Sequence, residues 1–155
     1  MAYHEKINQT TECTYFEGEI PIKYRYTFGI AGESYYKAIK QQGKILGARC
    51  PKCGISYVPP RIYCERCFSE LDKPAPVKAE GEIYSYTISH VKLKGEPNPE
   101  GRALVLVRFD GYEGGVIAEF RGKREDLRIG RRVKLSFKPK NQRTGSPNDI
   151  FAVPA

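Results

Sequence analysis

The chain has 155 residues, a net charge of +8 and 40% apolar residues, a length that allows one ordinary domain or two small ones. No run approaches the roughly 18 apolar residues of a membrane span, and the start, Met1-Ala2-Tyr3-His4, lacks the apolar core of a secretion signal. These features exclude a helical membrane protein and predict a soluble, cytoplasmic one with no membrane partner.

Residues 1–18 carry little periodicity and read as an arm able to wrap a partner. Ile20, Ile22, Tyr24, Tyr26 and Phe28 then alternate with Pro21, Lys23, Arg25 and Thr27. This period of two predicts an edge strand or an extended arm with one apolar face, ended by Gly29. Residues 31–42 have helical composition with Gly43 as a stop, and Tyr35, Ala38 and Ile39 fall on one side.

Residues 44–49 read as a strand delivering Cys50-Pro51-Lys52-Cys53-Gly54, and Tyr57-Val58-Pro59-Pro60-Arg61 leads toward Cys64-Glu65-Arg66-Cys67. Two Cys-x-x-Cys pairs ten residues apart can offer four thiolates to one ion, the tetrahedral set that Zn²⁺ favours. The expected ligands are Cys50, Cys53, Cys64 and Cys67. Gly54 suits the positive φ of such a knuckle, and the short gap fits a tight, rubredoxin-like ribbon. Two disulfides or four buried thiols are the bland alternative. Four sulfurs close the coordination shell, so the ion is expected to be structural and not catalytic. Iron suits the same donors. Outside the ribbon only Cys13 remains, which matches a reducing compartment.

Residues 73–79, with alternating prolines, read as a semi-rigid linker. Beyond them come β-formers at 81–91, a loop at 94–101, and a strand at 103–109 that is apolar on both faces. A turn bracketed by Asp110-Gly111 and Gly114-Gly115 leads to a strand at 116–120, so these two strands should form a hairpin. A single helical turn at 124–130 and strands at 133–137 and 150–153 complete the chain. The predicted fold class is mainly β: an N-terminal extended arm and helix (1–43), a rubredoxin-like zinc ribbon (44–72), the linker (73–79) and a five-stranded OB-fold barrel (80–155).

Charge is concentrated late in the chain. Residues 121–140 hold nine basic side chains against Glu125 and Asp126, a cluster able to attract phosphate on nucleic acid or on a nucleotide-bearing cofactor.

The order helix, Gly43-Lys44-Ile45-Leu46, paired cysteine knuckles around Pro59-Pro60-Arg61, then Gly81-Glu82-Ile83-Tyr84-Ser85-Tyr86-Thr87 and Leu127-Arg128-Ile129-Gly130 resembles the zinc-ribbon and OB-fold family called domain of unknown function thirty-five, over residues 33–155. The segment ending Tyr24-Arg25-Tyr26-Thr27-Phe28-Gly29 is similar to its archaeal members in particular. The resemblance implies a non-catalytic scaffold that joins acetoacetyl-CoA thiolase to hydroxymethylglutaryl-CoA synthase and helps hold acyl-CoA, at the start of the mevalonate pathway. CoA carries a 3′-phosphate and a pyrophosphate, so Arg121, Lys123, Arg124, Arg131 and Arg132 are the candidate CoA contacts. Phe28, Tyr35 and Tyr36 are the candidate partner-facing residues. Cys13, His4 and His90 have no local base or partner pattern, and no catalytic residue is assigned.

The rival reading is a single-stranded nucleic-acid binder, in which Tyr84, Tyr86, Phe109, Phe120 and Phe137 would stack bases beside the basic stretch. The family resemblance makes nucleic acid the less favoured partner.

Overall fold

The computed structural model describes residues 22–92 and 95–155. Expectations for the 1–18 arm, for His4, Cys13, Ile20 and Pro21, and for Lys94 lie outside the described residues. Residues 22–28 join no ladder and are all exposed, so the alternating segment is an extended arm here and not an edge strand. Among the described residues no strand pairs with it.

Helix α1 (Gly29–Gln42) starts two residues before the expected position and buries Tyr35, Ala38 and Ile39. Gly43 ends it with φ 63°, its N–H donating to the Ile39 carbonyl at 3.1 Å. A left-handed residue at this position is where glycine is strain-free. The strands follow in order: β1 (Ile45–Arg49), β2 (Ser56–Val58), β3 (Ala75–Val77), β4 (Glu80–Val91), β5 (Pro97–Arg108), β6 (Glu113–Gly114), β7 (Val116–Phe120), β8 (Arg132–Phe137) and β9 (Ile150–Pro154). They make two sheets.

The smaller sheet runs β3-β1-β2-β6. Within it Ile45 stands opposite Val77, and Ala48 opposite Tyr57. The segment expected as a semi-rigid linker is therefore partly a strand. Ala75–Val77 finds the open edge of β1, and this pairing overrides the extended-spacer character of its prolines. β6 runs parallel to β2, with Val58 opposite Gly114, and so ties the ribbon to the second sheet.

The larger sheet closes on itself in the order β4-β5-β7-β9-β8. Only the β7–β9 contact is parallel, and β5 and β7 form the expected hairpin. Val105, Val107, Ala118, Val133, Leu135 and Ala152 are buried, whereas Leu104 and Leu106 on the other face of β5 are half-buried. β5 begins at Pro97, inside the stretch expected as a loop. β7 pairs only with residues 104–107, so the edge beside 97–103 is open and a proline facing it forfeits no ladder bond. The expected single helical turn is a 3₁₀ turn at Arg124–Asp126.

Tyr35 and Ile39 of α1, Ile45 of β1 and Val58 of β2 belong to one buried cluster with the closed sheet's interior. Ribbon, helix and closed sheet thus share a core. A second, smaller cluster of Ala48, Cys50, Tyr57, Cys64 and Leu71 surrounds the cysteines.

Candidate metal centre and surface sites

β1 delivers Cys50 and the chain turns at once. The Gly54 N–H donates to the Cys50 carbonyl at 2.9 Å, and the Cys53 N–H donates to Cys50 Sγ at 3.3 Å. The second knuckle repeats the first, with the Phe68 N–H donating to the Cys64 carbonyl at 2.9 Å. Both residues after the second cysteine are left-handed, Gly54 at φ 72° and Phe68 at φ 56°. The glycine was legible in the sequence. The phenylalanine was not, because nothing but the repeat of the knuckle signals its backbone.

The four expected sulfurs converge. All lie within 4.8 Å of one another, and Cys50 Sγ is 3.5 Å from Cys67 Sγ. A tetrahedral ion with bonds of about 2.3 Å needs sulfurs about 3.8 Å apart, so the donor set fits a thiolate-bound metal. Cys50 and Cys64 are buried, Cys53 and Cys67 half-buried. The cysteines remain free thiols and form no disulfide among the described residues.

Outer partners tune these thiols. The Ser69 hydroxyl, 3.3 Å from Cys67 Sγ, together with the Ser69 backbone, lowers the Cys67 thiol to about 6. The buried Tyr57 hydroxyl, 3.3 Å from Cys64 Sγ, lowers the Cys64 thiol and is itself pushed up to about 12 by that contact. Cys53, beside Cys67, is pushed up to about 12. Four crowded sulfurs cannot all ionise without a cation among them, which a divalent ion supplies. Tyr57 and Ser69 are outer partners of the sulfurs that the cysteine spacing alone does not reveal.

Most of the candidate basic side chains of residues 121–132 are already engaged by neighbours. Arg121 lies over the Phe151 ring at 4.2 Å and 4.0 Å from Glu119, while Arg124 donates to the Glu100 carbonyl. Arg131 pairs with Asp126 at 3.1 Å, and Arg132 grips both Asp110 oxygens at 2.9 and 3.0 Å. Lys123 is exposed and joins no ion pair among the described residues. Arg121, Arg124, Arg131 and Arg132 are each held by a neighbour, and Asp110 and Glu100 lie far in sequence from the arginines they hold.

A cleft of about 690 Å³ lies elsewhere, between the 22–28 arm, α1 and the Thr144-Gly145 loop. Arg25, Lys37 and Lys40 stand around it with Phe28 and Tyr36, whose rings pack at 4.9 Å. Tyr35, expected to face a partner, is instead 4% exposed in the core, because it points along the helix stripe shared with Ile39. Of the rings expected to stack bases, Phe109 and Phe120 are buried inside the closed sheet and Phe137 is half-buried. Tyr84 and Tyr86 alone among the five are open, and Arg108 already covers the Tyr84 ring at 3.7 Å.

Residues 38–72 match the family described as ChsH2, rubredoxin-like zinc ribbon domain, and residues 75–138 match ChsH2, C-terminal OB-fold domain. A DUF35 domain-containing scaffold protein of Methanocaldococcus jannaschii is 27% identical over 108 residues, 66% of this chain and 74% of that protein. The crystal structure of a DUF35-family protein from Sulfolobus solfataricus superposes with a TM-score of 0.64 at 29% identity, covering 82% of this chain and 87% of that one. The chain belongs to the DUF35 family. A chain from the Ltp2-ChsH2(DUF35) aldolase shares the fold, with a TM-score of 0.60 at 22% identity over 83% of this chain and 96% of that one. The family assignment covers the ribbon and the OB-fold together, in the order in which the two sheets occur. No described helix of this DUF35 chain is long and apolar enough to cross a membrane.

Proposed function

We propose that this DUF35 chain is a non-catalytic accessory subunit that joins an acetoacetyl-CoA thiolase to a hydroxymethylglutaryl-CoA synthase in the cytoplasm, assisting transfer of acyl-CoA at the start of the mevalonate pathway. The observation that carries the reading is the row of Tyr24, Tyr26, Phe28 and Ile30, which are 67%, 81%, 71% and 77% exposed. Each ring could remove roughly 150–250 Å² from water if covered. A run of apolar side chains left in solvent marks a surface meant for another molecule. Supporting it, the M. jannaschii relative is named a scaffold protein. A cysteine-only shell holding zinc would give the ribbon its fold and leave no coordination position for substrate.

Acyl-CoA is the ligand shared with those enzymes in this reading. Arg25 and Lys40 stand around the large cleft with Phe28 and Tyr36 as ring neighbours, beside Lys37, which Glu33 of the same cleft holds at 2.7 Å, and these are the cleft's candidates for the CoA phosphates. They stand beside Arg121, Lys123, Arg124, Arg131 and Arg132 as candidate contacts. Affinity capture of the tagged chain from nuclease-treated lysate of its own organism tests the function. Recovery of both enzymes in fixed proportion is expected. Recovery of neither, with salt-sensitive capture of nucleic acid from untreated lysate, would overturn it.

A further inference from the structure

The two knuckles of the ribbon are alike in backbone and unlike in side chain. Each closes with an N–H to carbonyl bond of 2.9 Å, and each places the following residue at positive φ. The first uses Gly54, the residue that this backbone suits. The second uses Phe68, and left-handed backbone disfavours any residue with a bulky side chain.

The knuckle's own closure imposes that backbone, so what is left to explain is why a large ring stands there in place of glycine, and among the described residues no burial of the ring accounts for it. The Phe68 ring is 78% exposed, so it gains little burial, and Tyr63 on the same knuckle is 57% exposed. A ring that is left in solvent at a position where glycine would be unstrained points to a contact made outside the chain.

The surrounding charges indicate what makes that contact. Glu65 is held by Arg61, whose guanidinium also lies over the Tyr57 ring at 4.7 Å. Arg66 and, on the other knuckle, Lys52 are exposed and pair with no carboxylate among the described residues. Exposed Glu70 stands opposite Tyr63 in the same hairpin. An aromatic flanked by cations and a carboxylate suits a protein surface with a mixed polar rim.

We propose that Phe68 is an anchor by which the second knuckle docks into an apolar pocket of an enzyme subunit, with carboxylates on the pocket's rim facing Lys52 and Arg66. This rests on the accessory-subunit reading above. Leaving a large ring in water at a disfavoured backbone becomes intelligible once the ring is covered, since buried aromatic anchors dominate interface energetics.

The test uses the full-length, metal-loaded chain and its Phe68→Gly, Phe68→Asn and Arg66→Glu variants. Calorimetric titration is made against the purified thiolase and synthase, beside a metal-release assay with a chelator. Glycine and asparagine both accept positive φ, so each variant should release its metal no faster than the parent. Both should bind the enzyme at least about tenfold more weakly. Arg66→Glu should slow association and reduce its dependence on salt. Faster metal release in both Phe68 variants would make the ring structural and overturn the proposal. Unchanged enzyme affinity would overturn the anchor while leaving the accessory reading intact, as would loss confined to binding of a single-stranded oligonucleotide. Failure of the parent chain to bind either enzyme would overturn both.

Discussion

Replacing Asp149 with alanine should loosen one wall of the large cleft. The side chain is fully buried, and its Oδ2 accepts the backbone N–H groups of Thr144 at 2.8 Å, Gly145 at 2.7 Å and Ser146 at 3.1 Å. Lys138 Nζ lies 3.8 Å from the other oxygen. A hydrogen bond to a charged acceptor contributes about 1.5–3 kcal/mol, and three on one oxygen are not additive, so a loss of about 3–5 kcal/mol is expected. Asp149→Asn keeps an acceptor without the charge and should lose about half as much. Urea unfolding of the full chain reads both values as midpoint shifts at constant slope. Burial pushes this carboxyl up, but the three N–H groups and Lys138 together hold it below its ordinary value. A depressed folded value means that the stabilisation is present above the unfolded value near 3.9 and is lost as pH falls through the folded one. The gap between the parent and Asp149→Asn should therefore narrow below about pH 4. A loss under about 1 kcal/mol for alanine, or a gap that is the same at pH 7 and pH 3, would refute the reasoning.

Removing the metal should unfold the ribbon first, since such an ion contributes on the order of 10–16 kcal/mol to a domain this small. Hydrogen exchange after chelation should show protection lost across residues 50–71 and retained at Val105, Val107 and Leu135, which are buried in the closed sheet. Tyr57→Phe deletes the hydroxyl beside Cys64 Sγ, and should weaken metal affinity by about 10–100-fold in a chelator competition with little change in the closed sheet. Gly114→Ala would place a methyl against the Val58 carbonyl at φ +90°. It should cost about 2 kcal/mol or more by thermal unfolding, because the β2–β6 junction must open to admit it.

Much of this protein is written locally. The ligand set Cys50, Cys53, Cys64 and Cys67 follows from spacing, because a Cys-x-x-Cys turn carries its own geometry wherever it occurs. The helix stop at Gly43 and the hairpin of β5 with β7 follow from turn chemistry within a few residues. The OB-fold emerges from the count and alternation of strands. Tyr24, Tyr26 and Phe28 were identified as an apolar face from their period of two alone.

What the tertiary structure decided are the matters that depend on residues far apart in the chain. Ala75–Val77 became a strand because the edge of β1 was open to it, and Tyr35 went inward because the closed sheet supplied a core for the helix to cover. Arg132 and Arg124 of the basic stretch were engaged by Asp110 and the Glu100 carbonyl, partners that no local pattern predicts. Tyr57 reached Cys64, and Phe68 took a glycine's backbone, only once the two knuckles were folded against each other around the sulfurs. Local sequence fixes backbone preference and chemical type, whereas burial and charge pairing are settled by which distant segment arrives alongside.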